Sequence, residues 1–305
     1  MAKAKTSSHQ QTKAPAAGAW KECVERGVRV LQAPNLAPIP WLVHGFSTRP
    51  GGISALDDER VLNTGAVEWD SRENVTENRR RLQSAAGGTE LKLIPLSQFH
   101  SDVICAFQNV PAEPGRGDAS VTRTPGLLLA VQTADCVPIL LLDPGNRAVA
   151  AVHAGWRGTL RRILGKTVGR MQMEFGSRPQ DLLAAIGPAI GGCCYQVGTE
   201  VASAFAAQFS NAADFFDELR TGDEPNPLQW LNRMPPGHQP APNKVLLNLR
   251  AANRWQLLEA EVPEQNIVTS DLCTACHTEL LFSYRKEGSR SGRLMSVVGI
   301  LPDSR

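Results

Sequence analysis

Three side chains that prefer soft metal ions stand at the ends of apolar runs in this sequence. His100 follows PLSQF, Cys136 follows LLLAVQTAD and His153 follows AVAAV. The intervals are 36 residues from His100 to Cys136 and 17 residues from Cys136 to His153. If these runs are strands of one sheet, their ends can bring the three side chains together. Two imidazoles and one thiolate leave one tetrahedral position open, as in catalytic zinc sites.

The spacing alone is a weak signal, because each of these residues is also compatible with a buried side chain whose hydrogen bonds are satisfied. Asp135 directly precedes Cys136, between the apolar runs GLLLAV and VPILLLD. Burying an unpaired carboxylate is costly, so Asp135 lies at a strand end or has a role in the site. It could orient a metal ligand or accept a proton near the metal. A turn cap is an equally open interpretation of Asp135.

The elements that must position these residues are short strands interleaved with helices. Apolar runs bounded by turn residues predict buried strands at 127–131, 137–142 and 148–152. Helices are predicted over 70–86 with Asp70 as the cap, over 156–175, over 201–209 and over LNLRAANRWQLLEAEV. The segment LLFSYRKEGSRSGRLMSVVGIL is predicted as a strand, a basic turn and a strand. The order predicts an α/β fold of the α+β type.

The chain of 305 residues and 33.0 kDa is long enough for a sizeable core. We predict a disordered tail over residues 1–35, a single large domain over residues 36–305 and a long Pro-rich loop over 221–243. A net charge of +2 provides no electrostatic case for nucleic acid. The sequence shows no signal-peptide pattern and no run of about 18 apolar residues for a membrane span. Seven cysteines without such a signal predict thiols in the reducing cytoplasm.

Four side chains are candidates for binding an anion. His44 and Arg49 lie in HGFSTRPGG, Arg157 opens the helix after AVHAG, and Arg285 lies in FSYRKEG. Arginine suits bidentate contacts with phosphate, and a helix N-terminus favours anions. A solvated surface charge is the competing interpretation for each arginine.

Three further motifs do not support the functions that they suggest. Cys273-Thr-Ala-Cys276-His277 spells the c-type haem attachment pattern, which requires export, so a turn near the site or a small buried cluster is favoured. A zinc ribbon needs a second C-x-x-C, which the sequence lacks. A disulfide bond between the adjacent Cys193 and Cys194 would be strained. Gly165-Lys166-Thr167 fails as a P-loop, because Leu160 stands where a glycine is required.

Longer motifs resemble the YfiH-type laccase-domain family, which is also labelled polyphenol oxidase or purine nucleoside phosphorylase. They are HGFSTRPGGIS, QFHSDV, DASVT, PGLLLAVQTADCVPILLLD, VAAVHAGWRGTL, IGPAIGGCCYQVG, LNLRAANRWQL and CTACHTELLFSYRKEGSRSGR. The resemblance covers residues 41–301. It implies packed mixed β-sheets with helices outside, and zinc held by His100, Cys136 and His153. Phe99 departs from the valine that is more common in the family, which concerns packing beside the ligand.

The resemblance also implies phosphorolysis of purine nucleosides (adenosine, inosine and methylthioadenosine) and deamination of adenosine. In this hypothesis Arg49 or Arg285 holds phosphate, and His44 positions phosphate or ribose. The chain has six histidines and no H-x-H pair, too few for a multicopper mechanism, although a single His₂Cys site can still bind copper. Two other hypotheses stay open: a cysteine hydrolase with Cys136 as nucleophile and His153 as base, and a non-enzymatic binding protein.

Overall fold

The computed structural model describes residues 19–217 and 244–302. In these ranges the strands are β1 (Lys21–Glu25), β2 (Val28–Gln32), β3 (Leu42–Ser47), β4 (Pro50–Leu56), β5 (Glu59–Val61), β6 (Lys92–Ser97), β7 (Ile104–Ala106), β8 (Gly115–Arg116), β9 (Ala119–Thr122), β10 (Leu127–Thr133), β11 (Val137–Asp143), β12 (Ala148–Ala154), β13 (Leu183–Ile186), β14 (Gln196–Gly198), β15 (Phe216–Asp217), β16 (Lys244–Leu247), β17 (Ile267–Thr269) and β18 (Leu294–Ile300). The helices are α1 (Arg72–Ala85), α2 (Trp156–Leu160), α3 (Ile163–Phe175), α4 (Thr199–Gln208), α5 (Leu249–Glu259) and α6 (Tyr284–Glu287), with 3-10 turns at Pro179–Asp181, Ala212–Phe215, Glu264–Asn266 and Gly288–Arg290.

Two mixed sheets pack against each other and form the centre of the fold. One has the strand order β1-β2-β3-β18-β10-β6-β8, and the other has the order β17-β13-β11-β12-β9-β7. Leu129 and Val131 of the first sheet share a buried core with Leu140 and Val149 of the second. The chain passes from the first sheet to the second in the short turn between β10 and β11.

Both faces of the central strands are buried, which explains their uninterrupted apolar sequences. Along β10, Leu129 and Val131 face the second sheet, whereas Leu128 and Ala130 pack in the core that contains Leu82 of α1. The second sheet is covered on its other side by a core that includes residues of α3, α4 and α5. The α+β fold with helices outside packed sheets is therefore as expected, and the three buried strands predicted from the sequence are confirmed as β10, β11 and β12.

Two predicted elements differ in detail from the structure. Helix α1 is capped by Ser71, whose hydroxyl accepts the backbone N–H of Asn74 at 3.1 Å, and not by Asp70. The helix predicted over 156–175 is divided into α2 and α3, because Arg162 between them adopts a left-handed conformation with φ of 60°.

The predictions for the segment before β18 and for the N-terminal region also require correction. The predicted strand at LLFSY is wrong, since residues 280–283 form no strand and α6 begins at Tyr284. Strands β1 and β2 lie inside the predicted tail of residues 1–35, and β2 pairs with β3 of the first sheet. Residues 1–18 and the predicted Pro-rich loop at 221–243 lie outside the described residues. No helix in the described ranges has the length and apolar character of a membrane span.

Candidate functional site

The three candidate metal ligands lie where the chain crosses between the two main sheets. His100 follows β6, and Cys136 lies in the turn from β10 to β11. Because β6 and β10 are parallel neighbours, their C-terminal ends meet at the same edge. His153 lies on β12, opposite Pro138 of the neighbouring β11. The strand pairing therefore brings together residues that are far apart in the sequence.

The geometry of this group fits a metal ion. The candidate ligand atoms of His100, Cys136 and His153 all lie within 4.8 Å of one another. His100 Nε2 is 3.9 Å from Cys136 Sγ, and the two imidazole centroids are 5.0 Å apart. Zinc lies about 2.0–2.1 Å from nitrogen and about 2.3 Å from sulfur, so one ion can contact all three. The donors suit both zinc and copper.

Asp118, which the sequence analysis missed, holds two of these ligands in place. Its buried carboxylate lies 2.8 Å from His153 Nδ1 and accepts the backbone N–H of His100 at 3.0 Å. It also accepts the hydroxyl of Ser101 at 2.6 Å. Burial opposes the ionisation of Asp118, but hydrogen bonds from His153 and Ser101 outweigh it and hold its pKa below the usual value. With Nδ1 engaged, Nε2 is the nitrogen that His153 can offer to a metal.

The electrostatics of the group favour a thiolate at Cys136. Burial disfavours the thiolate, but the charge of His153 and a hydrogen bond from His100 outweigh burial and lower the pKa of Cys136 to about 6. Burial likewise opposes protonation of His153, but Cys136 and Asp118 outweigh it and raise the pKa of His153 to about 9. The thiolate is the form of cysteine that binds metal.

The backbone allows a close approach at this group. A Cβ on Gly155 would lie 3.0 Å from Cys136 Sγ and 3.0 Å from His100 Cδ2, closer than most real Cβ contacts, so a larger residue there would displace the two candidate ligands. His100 and Asp135 have φ of 59° and 88°, a region that residues with side chains seldom adopt. Such conformations persist where the surrounding structure imposes them, and they are frequent at functional sites.

Asp135 supports the wall of the site, and its carboxylate is bonded away from the candidate ligands. Its Oδ1 accepts the hydroxyls of Thr274 at 2.6 Å and Ser283 at 2.7 Å, and its Oδ2 accepts the backbone N–H of Arg285 at 2.6 Å. Its backbone carbonyl accepts the N–H of Ile190 at 2.9 Å. The buried acid is thus paired with three donors and ties the segment that carries Arg285 to the turn that carries Cys136.

A cavity of about 510 Å³ opens onto the three candidate ligands. Arg157 and Arg285 both line it, as does Arg293, which sequence reasoning missed. The Arg157 guanidinium lies 4.4 Å from the ring centroid of Trp156, which is also part of the lining. Three guanidinium groups around one cavity provide donors for an anion.

Two tyrosines, also missed from the sequence, hold the other arginines. The Arg285 guanidinium lies 5.0 Å from the Tyr195 ring centroid and donates to the Gln196 carbonyl at 2.8 Å. The Arg293 guanidinium lies 5.6 Å from the Tyr284 ring centroid, and burial lowers the pKa of Arg293. Both tyrosines line the cavity. In the sequence, the two tyrosines could have been recognised by their positions: Tyr195 follows Cys194 and Tyr284 precedes Arg285, each in a motif that resembles the family.

His44 and Arg49, the other two predicted anion-binding residues, are not among the residues that line this cavity. His44 is buried on β3, where its Nε2 accepts the backbone N–H of Ala33 at 3.0 Å. Burial lowers the pKa of His44 to about 4, so it stays neutral. Arg49 pairs with Glu287 at 2.6 Å and Glu59 at 3.5 Å. Both side chains are occupied by contacts that hold the fold together.

The fold and the site together define a class of proteins with packed mixed sheets and a His₂Cys group beside a cavity. The family model described as "Multi-copper polyphenol oxidoreductase laccase" matches residues 43–301. The chain belongs to this laccase-domain family, which confirms the resemblance seen in the sequence.

The relatives and a solved structure agree with this membership. The chain is 38% identical over 279 residues to the purine nucleoside phosphorylase of Deinococcus radiodurans, covering 90% of this chain and 94% of that protein. It is 36% identical over 255 residues to the purine nucleoside phosphorylase YfiH of Shigella flexneri, covering 84% and 92%. The crystal structure of the Bacillus licheniformis hypothetical protein YfiH matches with a TM-score of 0.73 and 28% identity, covering 90% and 97%.

Proposed function

We propose that this protein is a zinc-dependent purine nucleoside phosphorylase that acts on adenosine, inosine and methylthioadenosine. His100, Cys136 and His153 are the proposed zinc ligands. Two relatives bear the name purine nucleoside phosphorylase, and the chemistry of the cavity is consistent with such substrates. The seven free cysteines support a reducing compartment such as the cytoplasm.

The observation that carries this proposal is the combination of groups around one cavity. Three arginines, two tyrosines and the His₂Cys group share a space of about 510 Å³, a size typical of small-molecule sites. Guanidinium groups suit the two oxygens of a phosphate, and aromatic faces suit a planar purine. Each substrate of phosphorolysis, the anion and the nucleoside, thus has a matching surface.

The arginines provide the phosphate position in this proposal. Arg157 lies at the start of α2, directly beside the metal group in the sequence, and Arg285 is held by the Gln196 carbonyl and the Tyr195 ring. Arg293 donates to the carbonyls of Ser291 and Gly292, both at 2.9 Å, which fixes part of its guanidinium. Groups held in place before the substrate arrives need little rearrangement, which lowers the barrier.

Phosphorolysis forms one bond and breaks one. A phosphate oxygen bonds to C1′ of the ribose while the bond from C1′ to the base nitrogen breaks, and the base leaves with the electron pair and is protonated. When bound, zinc would supply a Lewis acid that polarises an oxygen of the phosphate or the substrate. The arginines orient the phosphate and offset its charge near C1′.

We include deamination of adenosine at the same cavity, in which water adds at C6 of the base, ammonia leaves and inosine forms. Asp135 acts here as a positioning residue for Arg285, since its carboxylate oxygens are bonded to Thr274, Ser283 and the Arg285 N–H. This replaces proton transfer at the metal as the proposed role of Asp135.

Oxidation of polyphenols with a single bound copper is a second candidate, which the family description favours. A His₂Cys group is an acceptable copper site. A multicopper mechanism needs further imidazoles, but the two other histidines in ranges 19–217 and 244–302 are engaged elsewhere: His44 is bonded to Ala33, and His277 Nδ1 lies 3.0 Å from the Cys273 carbonyl. The single-site form is therefore the only oxidase that we retain as a candidate.

A cysteine hydrolase is the third candidate, and one observation favours it. Cys136, His153 and Asp118 form a series of thiol, imidazole and carboxylate, the arrangement that activates a nucleophile. A chelator separates the hypotheses, because it abolishes activity that needs a metal and frees a thiol nucleophile. Phosphorolysis that survives complete removal of zinc would contradict the metal assignment.

The direct test is to incubate zinc-loaded protein with adenosine, with and without phosphate, and to separate the products. We expect adenine and ribose 1-phosphate only when phosphate is present, and inosine in both cases. Copper-loaded protein with a phenolic substrate is the parallel test of oxidase activity. If protein with stoichiometric zinc forms neither adenine nor inosine, the proposal is contradicted.

A further inference from the structure

Four cysteines that the proposed reaction does not use form a second group of soft ligands. Cys193 and Cys194 come from the turn after β13, and Cys273 and Cys276 come from the turn after β17. Their sulfur atoms all lie within 4.8 Å of one another. The sequence offers only one C-x-x-C, and the fold supplies the other pair of thiols from about 80 residues away in the chain.

The distances in this four-cysteine cluster match tetrahedral coordination. Sγ of Cys276 lies 3.7 Å from Sγ of Cys193 and 3.4 Å from Sγ of Cys194, and the adjacent pair is 3.7 Å apart. Four thiolates about 2.3 Å from a central zinc ion stand about 3.8 Å from one another. A disulfide needs sulfur atoms about 2.05 Å apart, and all four cysteines are free. One central ion satisfies the whole group, whereas a disulfide would join only two of its members.

Backbone contacts hold the two turns beside each other at the sulfur atoms. The N–H of Gly191 donates to Cys273 Sγ at 3.2 Å, which favours a thiolate there. Ala189 and Cys273 form an isolated bridge that joins the two turns. Cys193 and Cys276 are exposed, so an ion can enter from solvent.

The two turns have little apolar contact to hold them together. The local core beneath them consists only of Ile190, Cys273 and Ala275, with Cys194 and Tyr195 packed against it. Backbone hydrogen bonds between Ala189 and both Leu272 and Thr274 already join the turns on the side of the main core. An ion bound by the four sulfur atoms would add a second connection on the solvent side, where Cys193 and Cys276 are exposed.

The cluster lies behind the wall of the substrate cavity. Tyr195 directly follows Cys194 and contacts the Arg285 guanidinium. Thr274, inside the C-x-x-C, donates to the Asp135 carboxylate, which also accepts the N–H of Arg285. Joining the two turns would therefore fix both aromatic and cationic parts of the cavity wall.

We propose that Cys193, Cys194, Cys273 and Cys276 bind a second, structural zinc ion that holds this wall in place. Four thiolates fill a tetrahedral shell, so this ion has no open position for a substrate and takes no part in the chemistry. The assignment does not depend on the proposed reaction, because the four cysteine ligands are separate from the three ligands beside the cavity.

The test is the zinc content of purified full-length protein, measured by elemental analysis after removal of loosely bound metal. We expect about two zinc ions per chain in the wild type and about one in the Cys193→Ser/Cys276→Ser variant. The matched control is Cys23→Ser/Cys105→Ser, two partly buried cysteines outside both groups, which should keep both ions. Equal zinc content in the wild type and the cluster variant would overturn the proposal, as would iron in place of zinc.

A second measurement does not depend on whether the cluster variant folds. The Cys136→Ala variant keeps all four cluster cysteines, so X-ray absorption at its zinc edge should show a shell of sulfur only at about 2.3 Å. Nitrogen in that shell, or no zinc in this variant, would contradict the assignment. Non-reducing mass analysis showing a bonded pair of these cysteines and no zinc would also overturn it. Zinc content and phosphorolysis are separate readouts, so either proposal can fail while the other stands.

Discussion

The two groups of soft ligands in this molecule differ in what surrounds them. The His₂Cys group has three ligands, faces a cavity of about 510 Å³, and is held from behind by the buried Asp118 carboxylate. The four-cysteine cluster has four ligands, lies at the surface and is held by a backbone N–H. Three ligands leave a position for substrate, whereas four close the shell. A catalytic site therefore differs from a structural site in the number of its ligands and in their access to a cavity. The presence of cysteine does not distinguish the two.

The largest expected effect separates the two groups directly. Cys136→Ala should lower kcat/KM for phosphorolysis at least about a thousandfold, because the proposed ion loses its thiolate and with it the polarisation of the substrate. Phosphorolysis rates and zinc content together measure this effect. Cys105→Ala, which changes a partly buried thiol outside both groups, is the control and should stay near wild type. Full activity in Cys136→Ala would show that the reaction takes place at another part of the molecule.

The next effect concerns the carboxylate behind the His₂Cys group. Asp118→Asn should weaken zinc binding or activity by about 10–100-fold, because the neutral amide orients His153 less well and no longer supports its charge. Competition with a chromogenic chelator measures the affinity. Asp102→Asn is the control, because this half-buried acid lies in the loop after β6 that also carries His100, and it pairs with Lys166. Unchanged zinc affinity in Asp118→Asn would show that this carboxylate does not support the site.

A smaller effect is expected at the cavity wall. Arg285→Lys should raise KM for phosphate about tenfold with little change in kcat, because an ammonium cannot donate two parallel hydrogen bonds. Initial rates at varied phosphate and fixed nucleoside test it. Arg290→Lys changes an arginine of the same segment that pairs with Asp57, and it should leave KM unchanged. A rise in KM for the nucleoside alone would assign Arg285 to the base instead.

The smallest effect on catalysis is expected at the four-cysteine cluster. Cys276→Ser should lower Tm by about 5 °C while kcat stays within about threefold, because the proposed ion stabilises the wall and does not contact the substrate. Thermal unfolding and steady-state rates measure the two quantities on one sample. A loss of activity as large as that of Cys136→Ala would erase the distinction between the two groups.

Local sequence patterns predicted the buried strands correctly, because burial is visible in the residues of each strand. The strands β10, β11 and β12 were predicted because short apolar runs between turn residues favour buried strands. His100, Cys136 and His153 were grouped because each ends such a run, and the structure brings them within 4.8 Å. Strands β1 and β2 were missed because they follow a polar tail and charged residues interrupt their short apolar runs, although they pair with each other and β2 pairs with β3.

The surroundings of several polar side chains depend on distant partners that the local sequence does not show. His44 and Arg49 stand in a motif that suggests anion binding. In the structure His44 accepts the backbone N–H of Ala33, and Arg49 forms an ion pair with Glu287. Asp118 looks like a turn residue in GRGDAS, and only the pairing of β9 with β12 places it against His153. Local pattern carries no information about such pairings, which set the surroundings of a polar side chain.

The sequence by itself determined the family, the α+β class and the three candidate ligands, because apolar periodicity and long motifs are local properties of the chain. Only the tertiary structure decided which arginines reach the cavity, which carboxylate supports His153 and that four cysteines meet. These depend on how β6, β10, β13 and β17 align their ends. Sheet register places side chains from distant segments within a few ångströms of each other, and a one-residue shift would turn them to the opposite face.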